Sequence, residues 1–350
     1  MAGNDLVNLL TPLKGVLKRV PLIGVRKDAC RKLQYWNERE LLLSSIKTDL
    51  LLLKWCNMIV SVSRRTDIPA FYTEWFINRV RAGFCTVPNP FNPNQISSIS
   101  LEPENVDLFV FWTRNPKPLI PHLKKLNALG YSYYFLFTLM DNPRILDPKS
   151  PPPEISIDTF RKLSDLTGPE KVIWRYDPIV LSNVTDIEFH KQRFEFIADK
   201  LCGHTFRCII SFVDIYRKME GRLKRLSDKD FILQKGDGYN LSDLLSSLVK
   251  IAGNNGIEIR SCSSKIDLNS FGIPAGKCID DIYIAKTFGK HLDLKKDPYQ
   301  RKNCNCVSSK DIGMYDSCIY GCLYCYATTS FDRAKMNFHK HDPDSPSLLG

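Results

Sequence analysis

At 350 residues, 43% hydrophobic and 25% charged, the chain has the composition of a folded protein and the length of one large αβ barrel or two ordinary domains. No stretch reaches the roughly eighteen uninterrupted apolar residues of a membrane span, since Lys54 and Asn57 break residues 50–62, and no signal-peptide pattern opens the chain, so a cytoplasmic protein without a membrane partner is expected. Of the net charge of +11, the first 57 residues supply a large share, with ten Lys and Arg against five Asp and Glu; the remaining bias is that of a solvated basic face, with nucleic acid as the weaker alternative.

Residues 1–57 are leucine- and lysine-rich and weakly patterned, with Pro12 and Pro21 interrupting early helix and one amphipathic helix expected over 37–54. They read as an N-terminal extension, and its end beside the internal Met58 suggests a mis-assigned start. From Met58 one theme recurs six times: a β-branched or aromatic run, a polar turn often containing Pro or Asn, then a helical stretch. The runs are 58–63, 108–113, 133–139, 172–176, 208–213 and 257–261. Near-continuous apolar runs separated by helices predict a parallel α/β sheet, an open or partial TIM-like (βα)6 barrel over 58–261; a doubly wound sheet is the alternative. Trp112, Trp174, Tyr133 and Tyr134 are expected in the core. Residues 142–153, with five prolines, predict a rigid surface loop, 218–235 a basic solvent-facing helix, and 241–252 an apolar helix packed on the sheet. No glycine motif of a Rossmann or P-loop site is present.

Chemistry in αβ barrels sits on loops at the C-terminal ends of strands. There the chain places Arg64, Arg65 and Asp67 after the first run, Arg114 after the second, Arg175 and Asp177 at the fourth and Asp214 at the fifth. Paired arginines clamp carboxylates or phosphates, and Asp67 can orient a guanidinium or cap a helix. Arginines at several strand ends are not what a core selects.

Seven of the twelve cysteines fall between Cys262 and Cys325, which in a reducing compartment points to metal; Cys30, Cys56, Cys85, Cys202 and Cys208 read as ordinary thiols. A cysteine-rich region is thus expected over 262–330, with a flexible tail over 331–350. Its centre is Cys318-Ile319-Tyr320-Gly321-Cys322-Leu323-Tyr324-Cys325, three thiols that one tight loop can aim at a single point. A 4Fe–4S cluster held by Cys318, Cys322 and Cys325 would leave one iron without a protein ligand. The other reading is a structural zinc completed by His339, His341 or a further cysteine. Cys262, Cys278, Cys304 and Cys306 could form a second, four-thiolate centre, either zinc or an auxiliary cluster.

The C-x3-C-x2-C spacing, with Tyr324 before the last cysteine, resembles the cluster loop of radical S-adenosylmethionine enzymes. The chain as a whole resembles the prokaryotic family called domain of unknown function 1848, through the Ser-Arg-Arg-Thr-Asp-Ile-Pro-Ala-Phe-Tyr at 63–72, Phe-Trp-Thr-Arg-Asn-Pro at 111–116 and Arg-Tyr-Asp-Pro-Ile at 175–179. Cys-Ile-Asp at 278–280, Gln300-Arg301, Asp311-Ile312-Gly313 and the three-cysteine loop complete the likeness, from about Met58 to Ser330. The radical-enzyme resemblance implies a 4Fe–4S cluster whose open iron takes S-adenosylmethionine, with Tyr324 near its adenine and Arg175 at its carboxylate. Radical enzymes place this loop after the first barrel strand, whereas only 25 residues follow Cys325 here, as if the strand order were circularly permuted. The glycine-rich segment that usually grips the cofactor's amino group is not evident in the six runs.

Two functions follow. In the first, the protein is a radical enzyme served by an electron donor, and Arg64, Arg65, Asp67, Arg114, Arg175 and Asp177 line a mouth for an anionic substrate. In the second, it is a non-catalytic zinc or iron–sulfur protein with a structural, redox-sensing or nucleic-acid-binding role.

Overall fold

Each apolar run expected to be a strand is one. A computed structural model of the chain describes residues 58–227, 230–234, 241–264 and 266–350; the N-terminal extension with its expected helix over 37–54 lies outside the described residues. The strands are β1 (Met58–Val62), β2 (Phe84–Asn89), β3 (Asn92–Ser100), β4 (Val106–Thr113), β5 (Tyr133–Thr138), β6 (Val172–Ile179), β7 (Arg207–Phe212), β8 (Glu258–Ser261) and β9 (Lys310–Asp311). The helices are α1 (Ile68–Phe71), α2 (Thr73–Ala82), α3 (Leu123–Ala128), α4 (Pro153–Thr167), α5 (Ile187–Leu201), α6 (Arg217–Ser227), α7 (Leu241–Asn254), α8 (Asp281–Phe288) and α9 (Phe331–His339). No helix among the described residues is long and apolar enough to cross a membrane.

Seven strands form one parallel sheet in the order β8-β7-β6-β5-β4-β1-β9. From β1 to β8 each new strand is added on the same side, with no reversal at a switch point such as a doubly wound sheet has. The helices agree with that winding. Residues of α2, α4, α5 and α7 share one apolar cluster with Val60, Val62, Phe109, Phe111, Tyr133, Phe135, Phe137, Trp174, Cys208 and Ile210, so they cover one face of the sheet. Aromatic pairs fasten these layers: Phe76 to Phe109 at 5.2 Å between centroids, Phe137 to Phe160 at 5.1 Å, Trp174 to Phe194 at 4.6 Å. β8 and β9 are the two edges, so the sheet is open.

The opposite face carries the alternate residues Ile59, Leu108, Val110, Tyr134, Leu136, Ile173 and Ile209, and the C-terminal segment covers it with Ile279, Tyr283, Ile284 and Val307. Asp280 caps α8 by accepting from the Ile282 and Tyr283 amides at 3.1 and 3.3 Å, and it takes the Arg207 guanidinium at 2.8 Å. A strand cation and a helix cap thus share one carboxylate.

Three features differ from expectation. The antiparallel hairpin β2–β3 is absent from the six-run reading because most of β3 is exposed and polar, leaving no apolar alternation to see. Of the helix expected over 218–235, α6 ends at Ser227 and residues 230–234 are not helical; Met219, Leu223 and Leu226 of α6 are buried in a third cluster beneath the cysteine loop, so it is amphipathic, not wholly solvent-facing. Residues 331–350, expected as a flexible tail, form α9 and a packed terminus. The Trp75 indole donates to Ser345 O at 2.9 Å, Arg79 donates to Asp344 O at 2.8 Å, and Leu348 is fully buried.

Candidate functional site

Side chains alternate along a strand, so each strand offers one row to the face away from the helices. Those rows change character along their length: Ile59, Ser61, then Ser63; Val110, Trp112, then Arg114; Leu136, then Thr138; Ile173, Arg175, then Asp177; Ile209, then Ser211. Apolar residues at the N-terminal ends fill the core under the covering segment. Polar ones at the C-terminal ends surround a cavity of about 450 Å³.

Arg64, Arg65, Asp67, Arg114, Arg175, Asp177, Tyr324 and all seven cysteines from Cys262 to Cys325 line this single cavity. Their local partners differ sharply. Asp67 caps α1 through the Ala70 amide at 3.0 Å and accepts the Arg114 amide at 2.6 Å; burial pushes its carboxyl up to about 7. It therefore fixes backbone and takes no guanidinium among its hydrogen bonds. Arg175 forms an ion pair with Asp177, which also accepts from Ser211, while its Nη1 approaches Thr138 Oγ1 at 3.4 Å. Arg64 and Arg175 lie over the Trp112 ring at 5.1 and 4.8 Å from its centroid. Trp112, expected as core, is thus also a wall of the cavity; its position at the last turn of the row puts it where the apolar core ends. Arg65 Nη1 donates to Gly313 O at 3.2 Å, and its guanidinium shares the Tyr315 ring with the Lys218 ammonium, at 5.2 and 5.0 Å.

The three-cysteine loop enters from the β9 edge. Its Tyr324 hydroxyl donates to Asp147 at 2.6–2.7 Å and accepts from Arg114 Nη2 at 2.6 Å. Asp147 lies in the proline-rich loop 142–153, which is not a bare crossing over the surface but backs the cysteine loop, itself part of the cavity lining. The Leu323 amide donates to Leu146 O at 3.0 Å, and α6 holds the other side through Arg222 Nη2 to Cys325 O at 2.6 Å. Cys322 is buried and Cys318 half-buried against apolar neighbours, which pushes both thiols up, and each is opposed further by the Cys325 sulfur nearby. His339 and His341 do not line this cavity; His341 Nδ1 pairs with Leu348 O at 2.8 Å instead.

The other four cysteines come together from three stretches of chain. Cys262 at the end of β8 and Cys278 before α8 bring their sulfurs to 3.3 Å. Cys278 also contacts Cys306, and Cys306 contacts Cys304, so the four sulfurs form a chain of neighbours. Thiol hydrogen bonds from Cys278 and Cys304, aided by the Arg64 guanidinium, hold Cys306 well below the usual thiol range. Among the described residues no three Cys, His, Asp or Glu side chains already stand in metal-holding geometry. The donor chemistry fits soft or borderline metals in both sets. Of the remaining thiols, Cys85 and Cys208 are buried, Cys202 is exposed, and Cys30 and Cys56 lie outside the described residues.

Asp311 on β9 organises the β1 end of the cavity. It accepts from Ser61 Oγ at 2.9 Å, Ser63 Oγ at 2.6 Å and the Arg64 amide at 2.8 Å. Neither Asp311 nor Asp147 is marked by charge pairing or spacing in the sequence, since the bonds that bring them to the site, Tyr324 to Asp147 and the β1 end to Asp311, join residues 177 or more positions apart.

No curated protein and no solved structure matches this chain. Residues 59–327 match the family described as domain of unknown function (DUF1848), from the first strand to just past the cysteine loop. With most of its length covered by that match, the chain belongs to the DUF1848 family.

Proposed function

We propose that the protein is an iron–sulfur enzyme of the radical S-adenosylmethionine type, with a 4Fe–4S cluster on Cys318, Cys322 and Cys325. The observation that carries this reading is that the three loop thiols open onto the same cavity as the strand-end arginines of a parallel sheet. Strand order supports it. β9 lies beside β1 in parallel, so the sheet read from that edge runs β9-β1-β4-β5-β6-β7-β8, and the cysteine loop follows its first strand. That order is the one expected if the radical-enzyme layout were circularly permuted, which supports the reading.

When bound, a cluster with one open iron supplies the electron that starts radical chemistry on S-adenosylmethionine. The chain's own residues position and shield. Arg114, Asp147 and Tyr324 fix the loop in the wall, so Tyr324 holds the loop and has its hydroxyl committed. Arg175, held by Asp177, is the cation available to a cofactor carboxylate, with its Nε lacking a partner among the described residues. Arg65 and Lys218, both against the Tyr315 ring, form the cationic part of the mouth and suit an anionic substrate. Reduction of the cluster calls for a separate electron donor.

The test is anaerobic reconstitution with iron and sulfide, then low-temperature electron paramagnetic resonance of the reduced protein with and without S-adenosylmethionine. A 4Fe–4S signal that changes on adding the cofactor, and is lost in Cys322→Ser, is expected. A signal indifferent to the cofactor would leave a redox or structural cluster. Stoichiometric zinc on the three loop cysteines, with no cluster, would end the radical reading.

A further inference from the structure

We infer that Cys262, Cys278, Cys304 and Cys306 form a second metal centre, a mononuclear tetrathiolate site for a zinc-class dication, separate from the three-cysteine loop. Four thiols, each less than a tenth exposed, gather on the face of the sheet away from the helices although their chain positions span 44 residues. Ordinary core would place apolar groups there. The spacing selects one ion over a cluster. Tetrahedral thiolates about 2.3 Å from a zinc ion lie about 3.8 Å from one another. Cys262 and Cys278 stand at 3.3 Å, and Cys278, Cys306 and Cys304 follow in contact, whereas a cubane keeps its ligands farther apart. Binding closes this chain of sulfurs around the ion, and each ligating thiol gives its proton to solvent.

The surroundings fit the charge such a centre carries. Four thiolates on a dication leave a net double negative charge, which a buried site must balance. Arg64 extends towards Cys306 and Cys278, and its Nη2 is buried with no hydrogen-bond partner among the described residues. Arg175 and Arg301 bear on Cys262 in the same sense. Asp311 offsets part of the Arg64 charge, and thiolates on a metal would meet its remaining donor where neutral thiols would not. Backbone groups already act as outer supports, with the Ile279 amide donating to Cys306 Sγ at 3.4 Å and the Tyr134 hydroxyl fixing Cys278 O at 2.6 Å.

The centre does not depend on the loop cluster, and the experiment keeps the two apart. The full chain carrying Cys318→Ser, Cys322→Ser and Cys325→Ser is loaded with zinc or with cobalt(II), desalted and assayed for metal. About one equivalent of zinc is expected, with a thiolate-to-cobalt charge-transfer band in the cobalt form. Adding Cys278→Ser and Cys306→Ser should lower bound zinc at least about tenfold. Should those extra changes prevent folding, withdrawing zinc from the loop variant with a chelator must lower its melting temperature, and no shift would count against the site. The inference is overturned if the loop variant binds almost no zinc, if it takes iron and sulfide in zinc's place, if zinc survives loss of Cys278 and Cys306, or if a metal-free Cys262–Cys278 disulfide is found.

Discussion

Arg114 Nη2 donates to the Tyr324 hydroxyl at 2.6 Å, tying the end of β4 to a loop 210 residues later in the chain. The same hydroxyl donates to Asp147, so one phenol joins a cation and an anion inside the cavity wall. Tyr324→Phe removes that junction and leaves Arg114 and Asp147 3.4 Å apart. A loss of about 1–3 kcal/mol in unfolding free energy is expected, that of breaking a buried hydrogen bond to charged groups. Urea denaturation of Tyr324→Phe, Asp147→Asn and the double variant would measure it, and additive effects would show that the three do not act together.

Asp311 has the corresponding role at the other edge. It gathers Ser61, Ser63 and the Arg64 amide from β1 and its exit, and accepts its own chain's Gly313 amide at 3.0 Å. Gly313 packs against Ser63 so closely that an added Cβ would overlap its side chain. Asp311→Ala should cost about 2–4 kcal/mol, because several donors lose one charged acceptor. Limited proteolysis should then cut within 304–327 faster than in the unaltered protein. Equal cleavage rates would mean that β9 is held by other contacts.

The strands were legible because apolar runs survive as runs, and the strand-end arginines because charge there contradicts a core. The switch from apolar to polar along one row of each strand was readable too: Ile173, Arg175 and Asp177 are spaced by two, as are Ile209 and Ser211. Reading that alternation would have added Ser63, Trp112 and Thr138 to the site. Asp147 and Asp311 were not legible in this way. Their partners are set by how the proline-rich loop and the two-residue β9 fold back, and neither segment has an internal pattern that states where it lands. β3 failed for a simpler reason, as an exposed hairpin strand has no buried face to mark it.

Arg207 and Asp280 give a prediction that separates charge from capping. Their side chains are about one-tenth exposed, the ion pair is 2.8 Å long, and Arg207 also lies 4.2 Å from the Tyr283 ring centroid. Asp280→Asn can still cap α8 but leaves Arg207 with Glu258, at 2.8 Å, as its one ion-pair partner among the described residues. It should cost about 2–3 kcal/mol, below a fully buried pair because Glu258 remains. Asp280→Ala loses the cap as well and should cost about 1 kcal/mol more. Thermal or urea unfolding of the two variants checks the difference; equal losses would mean that the carboxylate does not cap.

His190 gives stability a pH dependence of known sign. It is fully buried on α5, accepts the Tyr176 hydroxyl at 2.8 Å through Nδ1 and donates to Val180 O at 3.0 Å through Nε2, which uses both nitrogens of the neutral ring. Burial lowers its pKa from 6.5 to about 4, with the Val180 carbonyl and Asp186 opposing only part of the shift. Between those values the unfolded chain binds the proton and the folded one does not, so stability rises with pH across the window. The contribution is complete above about pH 6.5 and is lost as pH falls to about 4, by about 3 kcal/mol. Asp67, whose raised pKa of about 7 acts in the opposite sense over much of the same range, masks part of this in the unaltered protein. The comparison must therefore be between variants. His190→Gln should be less stable at pH 7 but lose less on going to pH 4.5, and urea midpoints at pH 7, 5.5 and 4.5 would show it. Parallel losses in the two proteins would mean that His190 takes up its proton without unfolding.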